Sequence, residues 1–369
     1  MSKKTGVIIS GGGTGGHIFP AISIANAIKE ITPDADILFV GAENRMEMSY
    51  VPKAGYPIKG LPISGFDRKN PLKNIIVLFR VFQSQILARK IIIQFKPNVV
   101  VGVGGYASGP TLRMAGRLGI PTLIQEQNSF AGITNKLLAG KADKICVAYD
   151  GMERFFPKDK IIVTGNPVRQ TLLENRYTRE QAALELKLDP TKKNILILGG
   201  SLGARALNDS VMANLDLIRV THNVQFLWQT GKYYYNDILS ALRNAEEVAN
   251  LFPIDFISDM EMVYKATDLI ISRAGAGSIS EFSLLKKAVI LVPSPNVAED
   301  HQTKNAMALV NKGAAIHIPD SEAKERLISF AINLITDNVR LDCLRENIAQ
   351  MAVVGSAQRI ATEVLKLTK

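Results

Sequence analysis

Residues 6–16 read GVIISGGGTGG, and residues 194–203 read NILILGGSLG. In each, an apolar run of strand length ends in a cluster of glycines. The first cluster leads into Ile18–Ile31, whose apolar residues have helical spacing. A strand buried on both faces reads as an unbroken apolar run, as these do, and belongs to a parallel sheet covered by helices. Further short runs follow the first, at Ile37–Val40, Val99–Val103, Thr122–Ile124 and Lys144–Val147. The second opens another series, at Gln225–Gln229, Ile254–Ile257, Leu269–Ser272 and Val289–Val292. Strands that alternate with helices in two series predict an α/β protein of two Rossmann-like domains facing each other across a cleft. The link is expected near Gly165-Asn166-Pro167, which gives domains of residues 1–164 and 165–344. A long terminal helix, about Leu341–Lys366, is expected to pack back on the first domain from about residue 345.

A chain of 369 residues with 47% apolar and 21% charged residues has enough core for two domains. Cys146 and Cys343 are far apart and make no disulfide framework, which fits a reducing compartment. With four histidines and two cysteines, no zinc-ligand spacing appears. The first ten residues lack the apolar core of a signal peptide, and no run approaches the ~18 residues of a membrane span. The chain is therefore expected to stay in the cytosol. Its net charge is +10, and Lys53–Lys96 holds nine basic residues against one acid, Asp67. Such a field points to anionic lipid, nucleic acid or a phosphorylated substrate.

Residues 11–16 contain five glycines in six positions between a predicted strand and a predicted helix. Helix N-terminal amides there have no intrahelical partner, and glycine lets a phosphate approach them closely. The alternative is a tight turn with no ligand, but a turn needs fewer glycines. Gly11, Gly13 and Gly16 also fit the dinucleotide fingerprint, so a dinucleotide-dependent oxidoreductase stays open. The acid that should follow, Glu43, comes later than the usual offset of about 20 residues. In the second cluster Ser201 either donates to a phosphate or caps a helix, and the two roles are compatible. His17 follows the first loop; it is either a neutral proton acceptor or a packing residue.

Seven strings, read in order, carry a resemblance: GGGTGGHIFP (11–20), GVGGYASGP (102–110), EQNSFAGITN (126–135), GNPVR (165–169), GGSLGARALN (199–208), SRAGAGSISE (272–281) and HQTKNA (301–306). Over about residues 6–357 the chain resembles the MurG family, which transfers N-acetylglucosamine from UDP-N-acetylglucosamine to lipid I in lipid II synthesis. The resemblance implies a GT-B fold and inverting transfer to a lipid-linked muramyl sugar. It implies that Thr14, Gly15 and Gly16 contact donor and acceptor, and that Gly13, Tyr106 and Ser108 lie at the acceptor. Asn128 would lie near the donor sugar, with Arg169 and Ser201 near its phosphates. The backbone of Ile257 would meet the uracil. Ala276, Gly277, Ser278, Ile279, Ser280 and Glu281 would form the donor loop, with Glu281 on the ribose hydroxyls and Gln302 on the sugar. His17 is the expected catalytic base. Gly277-Ser278 stands where some members have Leu-Thr, and His301 where some have a second Gln. No DxD-like acidic pair lies near the donor loop, so no metal or other cofactor is expected.

Leu72–Ile93 reads as a helix with Ile75, Phe79, Phe82 and Ile86 on one stripe, cations beside it, and Ile76 and Leu87 on a second face. An apolar stripe edged by cations suits anionic lipid; the plainer reading is a core-facing helix with a basic rim. The family resemblance implies a peripheral enzyme on the cytoplasmic face of the inner membrane. A nucleic-acid partner is not expected, because the basic segment lacks interleaved aromatics and no recognition module is visible.

Overall fold

The computed structural model describes residues 4–65, 74–200, 202–297 and 300–368. Ser201, Leu72 and Asp67, named above, lie outside the described residues, as do the side chain of Ile75 and three of the nine basic residues counted above, Arg68, Lys69 and Lys73. The chain divides into two compact units, residues 1–169 with 353–369, and residues 170–352.

The first unit holds seven strands: β1 (Gly6–Ser10), β2 (Asp36–Ala42), β3 (Ile58–Leu61), β4 (Val99–Gly102), β5 (Thr122–Glu126), β6 (Lys144–Val147) and β7 (Ile161–Val163). Their order is β3-β2-β1-β4-β5-β6-β7, and every pair is parallel. Every residue of β1 is buried, as its unbroken apolar run requires. One face is covered by the helices Asn74–Phe95 and Ser108–Arg117, through Ala88, Ile91, Ile92, Leu112 and Met114. On the other face, Ile18, Ile24 and Ile28 of the helix Gly15–Ile31 pack with Ile360 and Val364 of the helix Ser356–Lys366.

The second unit holds β8 (Lys193–Leu198), β9 (Val224–Gln229), β10 (Leu251–Ile254), β11 (Leu269–Ser272), β12 (Ala288–Leu291) and β13 (Ile316–His317). Their order is β10-β9-β8-β11-β12-β13, again all parallel. Trp228 is fully buried in this core. Its indole N–H donates to Asn208 Oδ1 at 3.0 Å, and Asn208 Nδ2 donates to the Thr230 carbonyl at 3.0 Å, so no polar group of the pair is left unmatched.

Three expectations change. The strand expected at Ile254–Ile257 is Leu251–Ile254 instead, because β10 is an edge strand and tolerates the missing N–H of Pro253. The terminal helix is two helices. Asn338–Ala349 lies in the second unit and Ser356–Lys366 in the first, separated by a turn that ends at Gly355 with φ +73°, a backbone state that stops helix propagation. The chain leaves the first unit after Arg169 rather than at Gly165. Gly165 itself is held inside that unit: a Cβ there would lie 2.5 Å from Val353.

Cys146 is fully buried in β6, and burial, with Glu363 adding to it, pushes its thiol up to about 12. Cys343 is exposed. We expect a thiol reagent at pH 8 to label one cysteine of the native chain, identified as Cys343 by peptide mapping, and the second only in denaturant. Two thiols reacting together in native buffer would contradict the buried sheet.

Candidate active site

In a parallel sheet every strand ends on the same edge, and ligands bind where the strand order reverses. In the first unit the reversal lies between β1 and β4, so the loop 11–14 and the loop 103–107 lie side by side. The approach is close enough to dictate glycine. A Cβ on Gly11 would lie 2.2 Å from Val103 Cγ2, and one on Gly105 would lie 2.4 Å from the Gly12 carbonyl oxygen.

The helix after the first loop begins at Gly15, with Thr14 at its N-cap making no side-chain cap. The amide dipoles of this first turn therefore face outward without a capping oxygen, an arrangement that favours an anion. His17 sits in the same turn. Its Nδ1 lies 3.1 Å from the Gly12 carbonyl oxygen and 3.3 Å from Thr14 Oγ1. A carbonyl oxygen only accepts, so this contact calls for the proton on Nδ1, which in a neutral ring makes Nε2 the acceptor nitrogen. Gly104 presses on the ring from the other loop: a Cβ there would lie 2.8 Å from His17 Cδ2.

Of the other expected residues in this unit, Tyr106 is exposed and packs over Gly65. Ser108 is fully buried; its hydroxyl bonds the carbonyls of Ser10 at 2.7 Å and Gly104 at 2.9 Å, fastening the two loops together. The Arg169 guanidinium lies over the Phe19 ring at 5.2 Å. Asn128 is held by the buried carboxylate of Glu126, which accepts from its backbone N–H at 3.0 Å and from its Nδ2 at 3.1 Å. Glu126 also accepts from Gly132 N and from Asn135 Nδ2, and so fixes the whole loop after β5.

In the second unit the order reverses between β8 and β11. Three helices begin beyond this edge, Arg205–Ala213 after β8, Ala276–Leu284 after β11 and His301–Val310 after β12, and none has a side-chain cap. Each of these N-termini carries positive potential from its own dipole. A cavity of about 540 Å³ opens at the starts of the first and third of these helices, lined among others by Gly203, Arg205, Arg273, Ser294, Gln302 and Asp320, and by no residue of the helix Ala276–Leu284. Gln302 is fixed by its Oε1, which accepts from Ser294 N at 2.9 Å. Ala276, Gly277 and Ser278 form the first turn of their helix, and the Ser280 hydroxyl donates to the Ala276 carbonyl at 3.0 Å. Ile279 and Ile257 are buried. Glu281 is nearly buried and accepts from the Tyr264 hydroxyl at 2.8 Å.

Sequence reading missed several residues that organise these loops. Arg273 pairs with Asp320 and donates to the carbonyls of Val292 at 3.0 Å and Pro293 at 3.2 Å. Glu47, Gln125, Gln127 and Asn166 are buried polar groups of the first unit. Gln125 donates to Asn166, Asn166 to the Gln127 carbonyl, and Gln127 to the Val103 carbonyl. Nothing in their spacing announces them. Only the sheet order brings them together. Among the described residues no group of three or more His, Cys, Asp or Glu is arranged to hold a metal ion.

Residues 7–147 match the Glycosyltransferase family 28 N-terminal domain, and residues 194–359 match its C-terminal domain. A relative from Phocaeicola vulgatus is 65% identical, covering 100% of this chain and 97% of its own length. One from Bacteroides thetaiotaomicron is 62% identical, covering 100% and 99%. Both are named UDP-N-acetylglucosamine--N-acetylmuramyl-(pentapeptide) pyrophosphoryl-undecaprenol N-acetylglucosamine transferase. The crystal structure of Acinetobacter baumannii MurG superposes with a TM-score of 0.77 at 29% identity, over 98% of this chain and 99% of that one. A UDP-GlcNAc 2-epimerase from Neisseria meningitidis, at 17% identity and a TM-score of 0.69, covering 99% of this chain and 100% of its own, shares the fold alone. Two parallel-sheet α/β units of GT-B type, matched along their length in sequence and in structure, establish that the chain belongs to glycosyltransferase family 28 and, within it, to the MurG family.

Proposed function

We propose that this chain transfers N-acetylglucosamine from UDP-N-acetylglucosamine to the 4-hydroxyl of the muramyl sugar of lipid I, with inversion, giving lipid II for peptidoglycan and so serving wall growth and division. The observation that carries this reading is 65% identity, over the whole chain, to a relative named for that transfer. The dinucleotide reading rested on the first glycine loop alone and has no counterpart among these relatives.

The second unit holds the donor in this reading. Backbone amides at the starts of the helices Arg205–Ala213 and Ala276–Leu284 face the diphosphate, and Glu281 accepts from the ribose hydroxyls. The backbone of Ile257 meets the uracil, and Gln302 holds the sugar. In the first unit His17 Nε2 takes the proton of the attacking hydroxyl. Charge developing on departing UDP is offset by preorganised amides. Gly13, Thr14, Gly15 and Gly16, with Tyr106, form the acceptor side, and Ser108 braces it from beneath.

The helix Asn74–Phe95 supports a role at a membrane surface. Phe79, Phe82 and Ile86 are exposed as expected; Leu87 packs inward, and Ile76, expected on the inner face, is exposed beside them. Val77, Ala88, Ile91 and Ile92 make the buried side. Ile76 lies one helical turn from Phe79 and Arg80, which places it on the outer stripe. No helix among the described residues is long and apolar enough to cross a membrane. The chain in this reading sits peripherally on anionic lipid at the cytoplasmic face, where a polyprenyl-anchored acceptor is found.

Three measurements test these assignments. His17→Ala should lower kcat by about a hundredfold or more with little change in donor KM; near-normal turnover across the pH range would remove His17 as the base. Glu281→Gln should weaken UDP binding by roughly ten- to a hundredfold in calorimetry, the loss of a charged hydrogen bond, and unchanged affinity would separate Glu281 from the ribose. Anionic vesicles should carry the protein upward in flotation at low salt and carry the Phe79→Ser, Phe82→Ser double variant much less. Equal flotation of the two would end the membrane assignment.

A further inference from the structure

Glu47 is an acid inside the first unit, 1% exposed, and the transfer chemistry above makes no use of it. Its two carboxylate oxygens accept from two backbone donors: Oε1 from Ala42 N at 2.9 Å, at the end of β2, and Oε2 from Gly13 N at 2.8 Å, in the first glycine loop. The surrounding backbone is cut to fit it. A Cβ on Gly12 would lie 2.2 Å from the Glu47 carboxylate carbon, and one on Gly41 would lie 2.5 Å from Glu47 Cγ.

Gly13 N and the Gly12 carbonyl belong to one peptide unit. A trans peptide is planar, with N–H and C=O pointing in opposite directions. Fixing the N–H on Glu47 therefore fixes the direction of the carbonyl, and that carbonyl accepts from His17 Nδ1 at 3.1 Å. Gly105 closes on the same peptide from the other loop, 2.4 Å from the Gly12 oxygen measured from the Cβ it lacks. Flanking glycines otherwise leave this peptide free to rotate, Gly12 with φ +148° and Gly13 with φ +88°.

We propose that Glu47 is a positioning residue for His17: through the Gly12–Gly13 peptide it holds the imidazole in the tautomer protonated on Nδ1, with Nε2 as the acceptor. The tautomer claim stands on these contacts; its catalytic consequence rests on the reading of His17 as the base. Gln in place of Glu47 keeps its size but offers one acceptor and one donor to two backbone N–H groups. One of them then meets a donor, and the peptide is released to turn.

The test is long-range 1H–15N spectroscopy of the four histidine rings at about pH 8.5, above the ordinary imidazole range. His17 is assigned by its loss in His17→Ala, and His222, His301 and His317 report whether the fold is kept. In the wild type the His17 signal should show a protonated Nδ1 and an unprotonated Nε2. In Glu47→Gln it should move to a mixture or to the Nε2-protonated form while the other three stay in place. Glu47→Asp, which keeps two acceptors on a shorter arm, should fall between, and it carries the measurement if the Gln variant does not fold. We expect kcat to drop about tenfold or more in Glu47→Gln with donor KM nearly unchanged. An unaltered Nδ1-protonated signal in the folded variants overturns the proposal. A tautomer shift with undiminished kcat upholds the positioning role and removes His17 as the base.

Discussion

Every strand in both sheets is parallel, and that constraint organises the rest. Parallel strands send all their C-terminal ends to one edge, and each following helix starts there with amides that its own turns cannot satisfy. In the second unit three such helices begin beyond β8, β11 and β12 with no side-chain cap. In the first, the helix after β1 begins the same way. A nucleotide diphosphate needs directed donors and positive potential, and the topology supplies both before any charged side chain is added.

Loops rich in glycine gain close approach but lose rigidity, and buried acids restore it. Glu126 takes four hydrogen bonds from the loop after β5 and the helix that follows it, and Glu47 takes two, from the loop after β1 and from the end of β2. Arg273 does the converse in the second unit, donating to carbonyls at the end of β12. A buried charge is costly unless hydrogen-bonded, so each of these groups commits the backbone around it to one arrangement. The glycines are there for contact with one another and with these side chains as much as for contact with ligand.

The fold does not by itself name the reaction. A UDP-GlcNAc 2-epimerase at 17% identity superposes on nearly the whole chain. What separates transfer from other chemistry on a shared scaffold is the set of side chains it carries, and not the fold. Full-length identity to the MurG relatives is what ties this set to one family.

From the sequence alone came the parallel α/β class, the two glycine junctions, most strands to within a residue or two, and the strings that carry the family. These are local: an apolar run, a glycine cluster and a helical period are properties of neighbouring residues. Tertiary structure decided what depends on distant partners. It split the terminal segment between two units at Gly355, moved β10 back across Pro253, turned Ile76 outward, and buried Ser108 as a brace. It also revealed Glu47, which lies 30 residues and more from the loop it holds. A carboxylate in a short helix carries no signal of its partner, because strand order, and not sequence distance, brings the two together.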